Sequence, residues 1–196
     1  MPAAYRVGIS FPYPYSCSDH DLWVIEKQMS KRNFSPKMVY AVGERCVWGF
    51  PRVVICRPLY AMKPFPTTFW LTCPWLVREC GRCESGGGIG DLENFMSSKA
   101  KDWSSYNVCL RTLRISLLGT AERNFLRLRR RGRWEVLRRT LIGGIAGGGR
   151  RPVMKCLHLQ VAAWLGIGYH PGKEWLSAKF PVLDCSDPSR YPCCRG

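Results

Sequence analysis

The apolar residues of this chain change their spacing between Leu71 and Pro74. Before that point, Met38 to Val42, Val53 to Cys56 and Thr67 to Leu71 are short runs rich in β-branched or aromatic residues and bounded by proline or glycine, as strands of a small sheet are. After it, the spacing predicts a helix over 74–84, where Thr72 or Cys73 can cap and Pro74 occupies the first turn at little cost. Apolar residues then recur three or four apart at Trp103, Tyr106, Leu110, Leu113, Leu117, Ala121, Phe125 and Leu128, a buried helical stripe. Strands gathered at one end and helices at the other predict the α+β class. The expectation is a small β-sheet from residues 36–72, packed by helices over 74–84, 91–141 and 155–180 in a single domain.

Residues 1–21 have no periodicity and read as an irregular N-terminal extension; 22–185 form the domain and 186–196 a C-terminal tail. Gly143 to Gly149 reads as a loop. A chain of 196 residues buries a core without disulfide staples, and its 11 cysteines are an odd number, so reduced thiols or metal ligands are the better reading. The N-terminal residues hold no apolar run of signal type, and the longest apolar stretch, 161–169, is about half of the roughly 20 residues a bilayer span needs. A cytoplasmic protein without a transmembrane segment is expected.

The formal net charge of +16 implies acidic partners. It concentrates between Arg111 and Lys155, where only Glu122 and Glu135 are acidic. Arg123, Arg127, Arg130, Arg131, Arg138 and Arg139 recur at near-helical spacing and would present guanidinium groups to the phosphates of nucleic acid or another polyanion. A solvated helix face is the plainer alternative, because no recognised nucleic-acid motif accompanies the tract. Neither glycine-rich segment ends in the Gly-Lys-Ser/Thr of a phosphate loop. His-Glu-x-x-His, Gly-x-Ser-x-Gly and kinase motifs are absent, so the common hydrolase and transferase templates gain no support.

Among the thiols, Cys73 stands at a predicted helix N-terminus, where free N–H groups favour the thiolate that attacks electrophiles or binds metal. Cys80 and Cys83 form a Cys-x-x-Cys pair inside a helix, without the second pair a zinc site would want. Cys156 and His158 lie about 200° apart on a regular helix, so both reach one ion only where that helix frays. His170, Cys185, Cys193 and Cys194 supply further soft ligands downstream, at spacings of no standard finger.

Three segments carry a resemblance: Arg45-Cys46-Val47-Trp48-Gly49-Phe50-Pro51, Lys63-Pro64-Phe65-Pro66-Thr67-Thr68-Phe69-Trp70-Leu71-Thr72-Cys73-Pro74, and Val153-Met154-Lys155-Cys156-Leu157-His158. Together they resemble the bacterial family of unknown function numbered five hundred and one, over roughly Trp23 to Cys185. Val47 stands where many relatives are expected to have proline, and the arginine tract looks particular to this chain. The resemblance implies no established activity, but it ranks the cysteines. Cys46, Cys73 and Cys156 fall inside the family-like motifs with His158 beside the last, a four-ligand set for zinc or an iron–sulfur cluster. His170 and Cys185 are the second choice of ligands. Two other functions stay open: a thiol-dependent enzyme with Cys73 as nucleophile and His158 as base, and a polyanion-binding module.

Overall fold

The computed structural model describes residues 17–32, 34–65, 67–139, 142–146 and 151–194. Most of the expected irregular extension, residues 1–16, lies outside these. The first helix, α1 (Asp19–Gln28), begins earlier than its apolar residues suggest, because polar groups set its start. Ser18 and Asp21 cap each other reciprocally, the Asp21 N–H donating to Ser18 Oγ at 3.1 Å and the Ser18 N–H to Asp21 Oδ2 at 2.9 Å.

The sheet contains β1 (Val39–Arg45), β2 (Pro51–Cys56) and β5 (Phe69–Leu71), antiparallel in the order β1-β2-β5. Val42 pairs with Val54, and Val53 with Leu71. Every residue of the central strand is buried, and the period of two sorts its side chains. Val54 and Cys56 join Ile25 of α1 and Met29, the residue after it, on one face. Val53 and Ile55 join Phe69, Leu71 and the main core on the other. A tight hairpin, β3 (Leu59–Tyr60) with β4 (Lys63–Pro64), lies between β2 and β5 and turns through Ala61 and Met62, both at positive φ.

Arg52 is the charged residue of this buried strand. Its guanidinium donates to Glu44 through Nε, at 2.6 Å, and through Nη2, while Nη1 reaches Asp184 Oδ1 at 3.0 Å and the Leu183 carbonyl at 3.2 Å. The Arg52 carbonyl accepts the N–H groups of Thr72 and Cys73, which fixes the turn out of β5. Burial opposes the charge, but the bonds and charges of Glu44 and Asp184 outweigh it and raise the pKa.

The helical part comprises α2 (Pro74–Ser85), α3 (Gly88–Phe95), α4 (Ala100–Ser116), α5 (Thr120–Arg129), α6 (Arg131–Arg138), α7 (Leu157–Ile167) and α8 (Lys173–Lys179). The α+β class holds. The long helical stripe expected from Trp103 to Leu128 is instead divided between α4 and α5, with α6 following: the chain breaks at Gly119, whose N–H donates to Glu122, and at Arg130. These breaks let Leu118, Leu126 and Leu137 meet Leu59 in a small separate core. Part of the glycine-rich segment is strand rather than loop: β6 (Gly143–Ala146) pairs with β7 (Arg151–Met154). Residues 147–149 lie outside the described residues. A Cβ on Gly143 would meet the Trp103 ring at 2.6 Å, so glycine here admits an aromatic neighbour.

Helix α7 crosses beneath the sheet, buried almost all round, with Leu157, Val161, Ala162, Ala163 and Trp164 in the main core. Its Gly166 lies against Phe69 of β5, where a Cβ would sit 2.3 Å from the ring. Gly166→Ala should therefore destabilise the protein by about 1–3 kcal/mol despite alanine's better helix propensity, as measured by urea unfolding. An unchanged or raised midpoint would show that α7 does not need this close approach.

Candidate metal centre

Cys156, the residue before α7, is extended (φ −161°, ψ 156°) and belongs to no helical turn. The angular separation of a regular helix therefore does not apply to it, and its thiol shares a side with His158 in the first turn. The third member comes from the last turn of α2. Glu84 Oε1 accepts the Leu157 N–H at 2.6 Å and lies 3.0 Å from His158 Nδ1. Cysteine is a poor N-cap, and a carboxylate from a neighbouring helix fills that role. One ligand atom each from Glu84, Cys156 and His158 lies within 4.8 Å of the others.

The other ring nitrogen, His158 Nε2, lies 3.1 Å from the Val77 carbonyl. A carbonyl oxygen only accepts, so Nε2 carries the proton and donates. A metal ion lying between Nδ1, Glu84 and Cys156 would use the Nδ1 lone pair in place of a proton. Carbonyl acceptors of this kind orient metal-binding histidines. Burial, then the nearby charge of Glu84, raises the Cys156 pKa; the N–H groups of Leu159 and His158 and the charge of Arg32 pull the other way. A metal ion would remove the thiol proton.

Cys156 and His158 open onto a cleft of about 320 Å³ between α7, β5 and the turn that follows α1. Arg32 and Lys155 contribute cationic side chains to its wall. Arg32 is held over the Trp70 ring at 5.1 Å and donates to the Leu71 carbonyl at 3.1 Å. Its burial lowers its pKa, and the proximity of Cys156 acts against that.

The remaining sequence candidates are placed elsewhere. Cys73 precedes α2 and is buried; desolvation drives its pKa up to about 12 against the pull of the Leu76 and Trp75 N–H groups. The ring nitrogens of His158 face Glu84 and the Val77 carbonyl. Cys46 sits in the β1–β2 turn and Cys185 in the segment after α8, both half-buried. His170 is a core residue: Gly172 N–H donates to its Nδ1 at 2.9 Å, Nε2 faces Gln160 Oε1 at 3.1 Å, and Trp103 and Tyr106 pack on the ring.

The arginine tract forms the outer faces of α5 and α6. Arg123 is the inward member and donates to the Ile115 and Leu118 carbonyls at the end of α4. Arg130 lies over Phe125 and Arg138 pairs with Glu135, whereas Arg127, Arg131 and Arg139 are exposed. No helix among the described residues is long and apolar enough to cross a membrane.

A family model described as protein of unknown function (DUF501) matches residues 42–177. The chain belongs to this family. No curated protein and no solved structure matches it. The DUF501 match encloses Glu84, Cys156 and His158, whereas Arg32, Cys185 and Cys193 lie outside it. Glu84 escaped sequence reasoning because its partners are more than seventy residues away. The one local hint is a helix start at Leu157 with no good capping residue before it.

Burial holds the His170 pKa down to about 3, whereas in the unfolded chain the ring titrates near 6.5. Between those values the unfolded state binds the extra proton, so this contribution to stability is complete above about pH 6.5 and declines as pH falls towards 3. Denaturant midpoints measured across that range should fall more steeply for the native DUF501 protein than for His170→Gln. Equal slopes would place the acid sensitivity elsewhere.

Proposed function

We propose that Cys156, His158 and Glu84 hold one transition-metal ion, zinc by ligand chemistry, with one coordination position open to the cleft. The observation that carries this reading is the Val77 carbonyl on His158 Nε2, which leaves Nδ1 aimed at a thiol and a carboxylate. One sulfur, one nitrogen and one oxygen are ligands zinc accepts together, and three protein ligands with a free position are the pattern of zinc sites that act on a bound molecule. A single thiol makes an iron–sulfur cluster a poorer fit at this place. Arg32 and Lys155 favour an anion as the molecule that enters the cleft.

In metal analysis of protein purified without chelators, His158→Ala and Glu84→Gln should each lose a single ion relative to the native chain. Added zinc should raise the native melting temperature more than that of either variant, by linkage. Retention of the same metal content by both variants, with the fold intact, would overturn the reading.

The exposed Arg127, Arg131 and Arg139 favour a second activity, binding of a polyanion through α5 and α6. Retention on immobilised heparin should fall steeply with salt and be lost when these three become glutamate. Retention that persists in the charge-reversed variant would remove this activity.

A further inference from the structure

Four cysteines that the first centre does not use converge from four parts of the chain. Cys46 opens the β1–β2 turn, whose Gly49, at φ +83°, donates its N–H to the Cys46 carbonyl at 2.9 Å. Cys73 leads into α2. Cys185 is brought to the same turn by two bonds across it: the Val47 N–H donates to Asp184 Oδ1 at 3.1 Å, and the Trp48 indole N–H to the Cys185 carbonyl at 2.9 Å. Cys193 is buried under α1, where Gln28 Nε2 lies 3.3 Å from its sulfur and 3.0 Å from the Pro51 carbonyl. Pro51 also accepts the hydroxyl of Thr72, the neighbour of Cys73, at 3.1 Å.

We propose that Cys46, Cys73, Cys185 and Cys193 form a second, all-sulfur site for one soft divalent ion, a structural zinc that fastens the segment after α8 to the sheet. Four thiolates around one ion are a closed structural zinc set. The surroundings suit anionic sulfur: the Trp75 and Leu76 N–H groups point at Cys73, the Gln28 amide at Cys193, and the Arg52 guanidinium lies close to Cys73. The four groups also feel one another. Desolvation raises the pKa of Cys73 and of Cys193 first, and a charge on Cys46 raises both further.

No three of these sulfurs lie mutually within 4.8 Å, whereas zinc–sulfur bonds of roughly 2.3 Å set tetrahedral sulfurs about 3.8 Å apart. Loading therefore draws the group inward. The segment carrying Cys185 and Cys193 has only one short 3₁₀ turn, Pro188–Arg190, and can follow. Packing of Tyr191 on Trp75 already holds it near α2.

The test uses the full chain carrying Glu84→Gln, Cys156→Ser and His158→Ala, which lacks the first ligand set. Anaerobic titration with cobalt(II) should give strong sulfur-to-cobalt absorption that saturates at one ion and is displaced by zinc. Adding Cys193→Ser should weaken cobalt binding about tenfold or more with the far-ultraviolet dichroism retained. Absence of the thiolate band, or a band indifferent to Cys193→Ser, overturns the proposal.

Alkylation of the native chain with iodoacetamide, read by peptide mass, gives a second measure that needs no variant. Zinc should protect the two half-buried members, Cys46 and Cys185, together; equal labelling of both with and without zinc in folded protein would overturn the proposal. A failure of the first centre would instead appear at Cys156 alone.

Discussion

The buried charge of Arg52 is the constraint on which the rest of the arrangement depends. A guanidinium inside a strand must be paired on every side, or its desolvation would cost several kcal/mol. Glu44 meets it from the neighbouring strand, Asp184 and the Leu183 carbonyl from the segment after the last helix, and the backbone of the same residue anchors Thr72 and Cys73. One residue thus fixes the first β-hairpin, the turn from sheet to helix and the path of the C-terminal segment. Replacing it with an apolar residue would leave two carboxylates facing one another at the sheet edge.

On the opposite flank, Glu84 plays a comparable part for the helices. It satisfies the start of α7 from the end of α2, so the two helices are joined by a charge-assisted bond as well as by packing. The same carboxylate oxygen serves the His158 ring. The chemistry of the cleft is therefore built on the joint between two elements whose apolar faces are already committed to the core.

The strands of the main sheet and the start of α2 were legible because local rules decide them: β-branched runs between breakers, and a proline in a first turn. Where the outcome depends on distant partners, the sequence was silent. The break at Gly119 reflects leucines seeking Leu59, and the pairing of β6 follows from a glycine that admits Trp103. Of the ligands gathered from the motifs, Cys156 and His158 meet each other with Glu84, whereas the turn of Cys46 is bonded to the segment of Cys185, and Thr72 beside Cys73 shares the Pro51 carbonyl with Gln28, the partner of Cys193. Their recurrence in family-like segments marked them as a set, but motifs carry no information on which of them are neighbours. His170 offered a metal-binding ring by type, and its burial against two aromatic side chains explains it as a core group.

The extended backbone of Cys156 places the thiol and the imidazole on opposite sides of a coil-to-helix boundary. A slip of that boundary by one residue would rotate the His158 side chain by about 100° and lift it from the Val77 carbonyl. The first turn of α7 and the geometry around Nδ1 thus define each other. Whatever frays that turn disperses the ligands, and whatever grips the ligands nucleates a helix that runs through the centre of the core.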